Sequence, residues 1–268
     1  MQEACFSYLW DSAERMFTQA IVRKPCPEMI HGLSSSGLGK PDYNLAMEQH
    51  GEYIDMLRQC GLRVTILEAD PAFPDSTFVE DLALCTPACA ILTNPGAPSR
   101  KGEKEAMAAI LPRFFQKVEA IEAPGTLEAG DVMMVGKHYF IGISERTNRQ
   151  GAAQLIKLLR KYGMDGEMVP LRENLHLKSG ISFMENNVML VSGEFSSMPV
   201  FQSFDRIEVD ADETYAANSL WINGTVLVPS GFPITLEKIR SAGYPALSLD
   251  MSEFRKLDGG LSCLSLRF

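Results

Sequence analysis

No apolar run in this chain reaches the roughly 20 residues that a membrane-spanning helix needs. Positive charge is also scarce: 25 Lys+Arg stand against 34 Asp+Glu, giving a net charge of -9 and a pI near 5.0. Nucleic acid is therefore excluded as a main partner, because phosphate binding needs a basic excess on some face. A small zwitterionic substrate remains open, since one or two local arginines suffice for it. The first fifteen residues, MQEACFSYLWDSAER, lack a basic start, a long apolar stretch and a small-residue cleavage site. They do not read as a secretion signal, and the expectation is a cytoplasmic, reducing compartment without membrane attachment.

Metal-ligand spacing is equally thin. Of six cysteines, Cys85 and Cys89 form a C-x3-C pair, but no second Cys/His pair stands elsewhere at ligand spacing. A structural zinc site wants two such pairs, so no metal is expected, and the cysteines read as free thiols. Histidine is limited to four positions.

What is present is an ordinary globular composition, 46% hydrophobic and 22% charged, in 268 residues. That length accommodates one large domain or two small ones. Along it, one pattern recurs: an apolar run, a turn, a second apolar run, a helical stretch and a short strand. The hairpin-like pieces begin near residues 81, 131, 181, 219 and 262, with turns at Gly136-Lys137, Asn186-Asn187 and Asn223-Gly224. A period of about forty to fifty residues is the range of repeat architectures. The first unit, FTQAIVRK with DYNLAMEQHGEYIDMLRQCG and RVTILEA, lacks one strand, which the final LSCLSLRF would complete. Five such ββαβ units closing head to tail give an α/β propeller. An open α/β sheet is the alternative that periodicity leaves standing. In a ring, the loops between repeats converge on the axis, so polar residues at hairpin edges become the candidates for chemistry.

Asp75, Glu80 and Asp81 crowd FPDSTFVED (73–81), either as a solvated acidic turn or as a cation site, where paired carboxylates suit a planar guanidinium. Glu128 lies between Gly125 and Gly130 in PGTLEAGD, as a surface turn or as a carboxylate that orients a histidine. Arg100 and Arg146 follow strand-like stretches, as surface charges or as carboxylate binders. His176, in NLHLKSG, is the histidine at the edge of a repeat and the natural general acid/base if it is not structural. Cys263 follows Gly259-Gly260, which suggest a turn that an ordinary residue could not make, ahead of an alternating strand. It reads as a core thiol or as one held toward the axis.

Taken together, FPDSTFVED, TNPGAPSRKGE, GTLEAGD, ISERTN, LHLKSG, AANSLWING and RKLDGGLSCLSLRF resemble the dimethylarginine dimethylaminohydrolase family, of the guanidine-modifying (pentein, amidinotransferase-like) superfamily. The bacterial branch is the more similar. The resemblance runs from Met16 to Phe268 and implies a single five-bladed propeller catalytic domain, with residues 1–15 as an extension outside it. It matches Cys263 to the nucleophile, His176 to the general acid/base and Glu128 to its acidic partner. Glu80 and Asp81 match guanidinium ligands, and Arg100 and Arg146 match carboxylate binders. Leu33 and Leu257 match positions that offer backbone carbonyls to the substrate, with Asp75 beside the first. Ser219 departs from the cysteine carried by some relatives, away from the chemistry.

The implied reaction is cofactor-independent hydrolysis of an Nω-methylated L-arginine to L-citrulline and methylamine or dimethylamine, through a covalent thiouronium on Cys263. A homodimer is implied by analogy alone. Arginine deiminase and amidinotransferase activities share the nucleophilic chemistry. Agmatine, which lacks a carboxylate, fits paired arginines poorly. A non-catalytic propeller binding protein is the reading from another class, and it leaves the Cys/His/Glu set without a purpose.

Overall fold

The computed structural model describes residues 16–268, so the expectation for the first fifteen residues lies outside the described residues. The chain builds five three-stranded sheets. In chain order, β1 (Gln19–Arg23), helix α1 (Tyr43–Gln59) and β2 (Arg63–Leu67) belong to the first. The second holds β3 (Ala83–Cys85), β4 (Ala90–Leu92), α2 (Glu103–Ile110) and β5 (Val118–Ala120). The third holds β6 (Val132–Val135), β7 (His138–Ile143), α3 (Arg149–Lys161) and β8 (Asp165–Pro170). A short helix α4 (Leu177–Gly180) leads into β9 (Ile181–Phe183), β10 (Val188–Val191) and β11 (Asp205–Glu208). The fifth has β12 (Leu220–Ile222), β13 (Thr225–Pro229), α5 (Pro233–Ser241) and β14 (Ala246–Leu249). After α6 (Ser252–Arg255), β15 (Leu266–Arg267) returns to the first sheet.

One rule orders every sheet. The first strand runs antiparallel to the middle one, and the middle runs parallel to the outer. A parallel pair needs a crossover, which the helix supplies, whereas an antiparallel pair needs only a tight turn. The turns obey sequence: Asn186 and Asn187 have φ of 56° and 65°, and Asn223 and Gly224 have 48° and 88°, the left-handed pair that matches strand twist. In the fourth sheet, two 3-10 turns, Gly193–Ser197 and Pro199–Phe201, replace the crossover helix. The segment GEFSSMPV has no apolar helical period, and its proline blocks continuation.

Five apolar clusters lie at the five junctions between neighbouring sheets. Ile21 meets Leu82 and Met107, Ile91 meets Tyr139 and Leu155, and Phe140 meets Met189 and Phe201. Leu190 meets Val226 and Ile239, and Leu227 meets Val22 and Tyr53, which completes the circuit. Closure is sealed by backbone: Ala20 pairs with Arg267, Ile21 pairs with Leu266, and Phe268 O accepts from Thr18 and Gln19 N at 2.9 and 2.7 Å. The result is the expected closed α/β propeller, not an open sheet.

The first strand of each sheet lies innermost, since β15, β3, β6, β9 and β12 all give side chains to one chamber on the axis. The segments just before these strands therefore gather at one end of the ring. Asp75 to Asp81 precede β3, Glu128 precedes β6, His176 precedes β9 and Cys263 precedes β15. Among the described residues no helix is long and apolar enough to cross a membrane.

Candidate active site

At that end a cavity of about 680 Å³ opens, lined by Cys263, His176, Glu128, Asp75, Asp81, Arg100, Arg146, Leu33 and Leu257. Glu128 is 1% exposed and sits just before a single 3-10 turn, Ala129–Asp131. Its Oε2 lies 2.8 Å from His176 Nε2, and its Oε1 accepts from Ala97 N at 3.1 Å. Asp81 Oδ1 lies 4.0 Å from the same Nε2. Asp81 Oδ1 also accepts from Gly130 N at 3.1 Å. A Cβ at Gly130 would stand 2.8 Å from Asp81 Oδ1 and 3.0 Å from His176 Cγ, so only glycine lets the backbone pass between them.

Electrostatics follow from this crowding. Burial works against a charged His176, but Asp81, Asp131 and Glu128 outweigh it and raise the imidazole to about 9. Burial alone would raise Glu128; the hydrogen bond and charge of His176 pull it down instead. Asp131, with 0% exposure, was not singled out from the sequence. It accepts from Ser144 Oγ at 2.6 Å and Leu177 N at 2.9 Å, which ties α4, and with it His176, to the third sheet. Its signal in sequence was slight: an acid directly after Gly130 at the start of a buried strand.

Cys263 sits on a 3-10 turn (Ser262–Leu264), not on the alternating strand that the sequence suggested. The strand shrinks to Leu266–Arg267 because the preceding residues pack the candidate site. The glycine pair also acts differently from the expectation. Neither glycine has positive φ; the left-handed residue is Asp258, at 58°. A Cβ on Gly259 would meet the Phe78 ring at 2.2 Å, and one on Gly260 would meet Asn218 Cγ at 2.4 Å. Close packing, not turn freedom, demands them. Asn218 then holds the turn, accepting from Ser262 N at 3.0 Å and donating to Ser262 Oγ at 3.1 Å. Gly260 N donates to Cys263 Sγ at 3.4 Å. Burial pushes the thiol up to about 12, with Glu80 and Asp81 adding to the rise.

Two acids and two arginines are placed unequally. Asp75 Oδ1 accepts from Leu33 N at 3.0 Å, and burial raises its carboxyl. Glu80 turns away from the cavity: Lys178 Nζ is 2.6 Å away, Arg267 Nη2 2.8 Å and Ser262 Oγ 2.8 Å. Arg100, 4% exposed, spends Nε and Nη2 on Glu103 at 2.9 and 2.8 Å, and Nη1 on Asp81 at 2.6 Å. Its guanidinium is thereby an anchor for Asp81, engaged by protein carboxylates. Arg146 is free of such partners nearer than Glu128 Oε1, 3.9 Å away, and its side chain is 20% exposed at the cavity. Its backbone packs on Gly96, where a Cβ would fall 2.3 Å from Arg146 O.

The rim is stapled from two directions. Ser34 and Ser36 Oγ donate to Lys256 O at 2.5 and 2.9 Å, and Ser35 Oγ donates to Asp258 Oδ2 at 3.0 Å. These bonds bring Leu33 and Leu257 to the same wall, although Leu33 is 40% exposed. Ser219 is buried and donates to Ala216 O at 2.7 Å, outside the cavity lining. Ligand-type atoms of Asp81, Glu128 and His176 lie within 4.8 Å of one another. Their charge already meets Arg100 and the imidazolium, and a planar organic cation beside a thiol is the guest that this donor set suits.

The geometry agrees with the comparisons. A family model described as N,N dimethylarginine dimethylhydrolase, eukaryotic, matches residues 40–240. The N(G),N(G)-dimethylarginine dimethylaminohydrolase of Pseudomonas aeruginosa is 53% identical over 94% of this chain and 100% of its own length. The Streptomyces coelicolor protein of that name is 33% identical over 93% of this chain and 96% of its own. A crystal structure of a cysteine-to-serine mutant of the Pseudomonas aeruginosa enzyme, complexed with citrulline, superposes with a TM-score of 0.93 and covers 94% of this chain and 100% of that one. With a family model over residues 40–240 and a relative 53% identical over 94% of its length, the chain belongs to the dimethylarginine dimethylaminohydrolase family.

Proposed function

We propose that this chain hydrolyses Nω-methylated L-arginine to L-citrulline and methylamine or dimethylamine. The observation that carries the reading is the meeting of Cys263, the Glu128–His176 pair and two carboxylates, Asp75 and Asp81, on one cavity. The guanidinium lies against Asp75 and Asp81, and the backbone carbonyls of Leu33 and Leu257 accept its remaining N–H donors. Arg146 takes the α-carboxylate. Arg100 fixes Asp81 from behind, and Glu80 shapes the field at the thiol from outside the cavity.

Before substrate binds, a Cys263 pushed up to about 12 is a thiol near neutral pH, and a His176 raised to about 9 is an imidazolium. Burial, with Glu80 and Asp81, holds the thiol pKa up; a bound guanidinium brings positive charge beside the sulfur and offsets them, so the thiol releases its proton to solvent. The thiolate attacks the guanidinium carbon, and the C–N bond to the methylated nitrogen breaks as His176 donates its proton to the departing amine. Glu128 holds the imidazole in place and favours its charged form. The neutral imidazole then takes a proton from water, whose oxygen attacks the thiouronium carbon. Collapse breaks the C–S bond and leaves citrulline, and the hydroxyl proton released as the C=O forms restores the thiol. Support comes from relatives: one is complexed with citrulline, and another is an adduct with S-methyl-L-thiocitrulline.

Arginine deiminase chemistry would use the same steps with ammonia leaving. The two differ by room for methyl groups, and size alone discriminates weakly, about 10–200-fold per methylene. Purified protein offered arginine, monomethylarginine and asymmetric dimethylarginine should release the alkylamine in preference to ammonia, and Cys263→Ser should abolish release. Ammonia as the preferred product would give the deiminase reading; near-normal turnover by Cys263→Ser would remove the nucleophile. The cytoplasm suits a chain whose Cys26, Cys60, Cys85, Cys89 and Cys263 are all free. A homodimer is carried forward as an expectation for sedimentation to test.

A further inference from the structure

His176 is clamped on both flanks by carboxylates that have no part in the proposed reaction. Upstream, Glu194 accepts from Arg172 N at 3.0 Å, Glu173 N at 3.1 Å and Asn174 Nδ2 at 2.9 Å. Downstream, Asp131 accepts from Leu177 N at 2.9 Å. The two acids differ in setting. Glu194 lies on a half-buried turn, held by amides alone. Asp131 is fully buried, and the strand beside it leaves it room. A Cβ at Gly142, on β7, would stand 2.8 Å from Asp131 Oδ1 and 3.1 Å from Leu177 Cβ.

Hydrogen bonds fix the ionic state of Asp131. Ser144 Oγ lies 2.6 Å from its Oδ2. The same hydroxyl oxygen accepts from Arg146 N at 3.0 Å and Thr147 N at 3.1 Å. Those bonds fill both of its lone pairs and leave its hydrogen for Asp131. Thr147 Oγ1, which accepts from Glu128 N at 3.1 Å, also hydrogen-bonds this carboxylate. The Leu177 amide can only donate. Donors therefore stand at both oxygens, which a carboxylate satisfies and a protonated acid or an amide does not. A buried anion calls for a cation. Arg100 is spent on Asp81 and Glu103, and Arg146 faces Glu128 at 3.9 Å. The imidazolium of His176 is the cation that answers Asp131, and each favours the charged form of the other.

We propose that Asp131 is a positioning residue for the acid/base: clamped by Ser144 and Thr147, its carboxylate fixes the start of α4 and helps hold the proton on His176 until the amine leaves. This role rests on the reaction proposed above. Asp131 lies outside the cavity lining, so it acts through the imidazole and not on the substrate. The other groups facing that imidazole are Asp81 from the turn before β3 and Glu128 from the segment before β6. Cys263, Arg100 and Arg146 share its cavity. Because Ser144 also holds the backbone of Arg146, one anchor sets the proposed carboxylate binder and the acid/base in fixed relation.

Asp131→Asn in the full chain tests the idea. The His176 imidazole, followed by NMR and assigned with His176→Asn, should titrate about one pH unit lower than in wild type. The kcat for amine release should fall roughly ten- to hundredfold, with KM changed by less than about threefold. Glu194→Gln removes a charge from the other flank and should leave the titration in place. Ser144→Ala keeps the charge on Asp131 but loosens its grip. There kcat should fall about threefold while the imidazole titrates as in wild type, and this variant carries the test if Asp131→Asn does not fold. An unmoved imidazole in folded Asp131→Asn, an equal shift in Glu194→Gln or an unchanged kcat in Ser144→Ala would each overturn the proposal. The titration needs no turnover. A wild-type chain that released no alkylamine would overturn the proposed reaction, and the imidazole would still show whether Asp131 holds its proton.

Discussion

His176 Nε2 and Glu128 Oε2 lie 2.8 Å apart, both nearly excluded from solvent, with Asp81 Oδ1 4.0 Å from the same nitrogen. A single imidazole thus answers two carboxylates, and its proton is held by their sum. Glu128→Gln keeps the shape and removes one charge. The variant should lose about 10² or more in kcat/KM, as expected for an impaired acid/base. The pH at which its rate stops rising should move lower. A break that stays in place would separate Glu128 from the titration of His176.

The wild-type profile has its own shape. The reactive form needs Cys263 without its proton and His176 with it. The thiol is pushed up to about 12 and the imidazole to about 9, so the required form grows as pH rises from neutrality and levels off above about 9, where the gain in thiolate is cancelled by the loss of imidazolium. We expect kcat/KM to climb from pH 6 to 8 and to level off near 9, read from amine release in a constant-ionic-strength buffer series.

The same raised pKa is a statement about stability. A histidine whose folded value exceeds its unfolded value of about 6.5 contributes stability that is complete below that pH. The contribution fades as pH rises through about 9. Melting temperature should therefore fall between pH 6.5 and 9, and fall less steeply in His176→Asn. Parallel slopes in the two proteins would contradict this.

Arg100 and Arg146 should fail in different ways. Arg100→Met leaves Asp81 and Glu103 buried without their counter-charge, a loss of about 3–5 kcal/mol, visible in denaturant unfolding. Arg146→Met, at a half-open site, should fold normally and raise KM roughly ten- to hundredfold with little change in kcat. Equal stability losses would mean that both are structural.

Gly130→Ala places one methyl where Asp81 and His176 already converge. A displacement approaching 1 Å at reacting groups costs about 10² in rate. We expect that loss in kcat, together with a stability loss of about 1–3 kcal/mol from the overpacked buried site, read from thermal unfolding.

Much of the fold was legible because its repeats announce themselves locally. Asn-Asn and Asn-Gly turns fix hairpins, and the run of apolar strands with short crossovers fixes the order within each sheet. The identities of Cys263, His176 and Glu128 were legible as residue types at repeat edges, once the motifs were joined. What sequence did not reveal was direction. Glu80 and Asp81 are neighbours, yet the 3-10 turn at Val79–Leu82 sends one toward Lys178 and Arg267 and the other into the cavity. Arg100 read as a surface charge or a carboxylate binder, because nothing in sequence marks Glu103, three residues on, as the partner of its guanidinium. Gly259 and Gly260 looked like hinge residues because glycine is silent about whether it serves freedom or closeness. Asp131 was hidden by being one more acid in an acidic chain.

The strand that joins the two ends of the circuit, β15, follows the candidate nucleophile by three residues, and Tyr53 OH grips the same segment at Leu261 O and Ser265 Oγ. Unzipping that strand from β1 would carry the thiol away from its histidine. Closing the circuit and arming the sulfur are thus one act: the thiol meets its acid only in a ring that is whole.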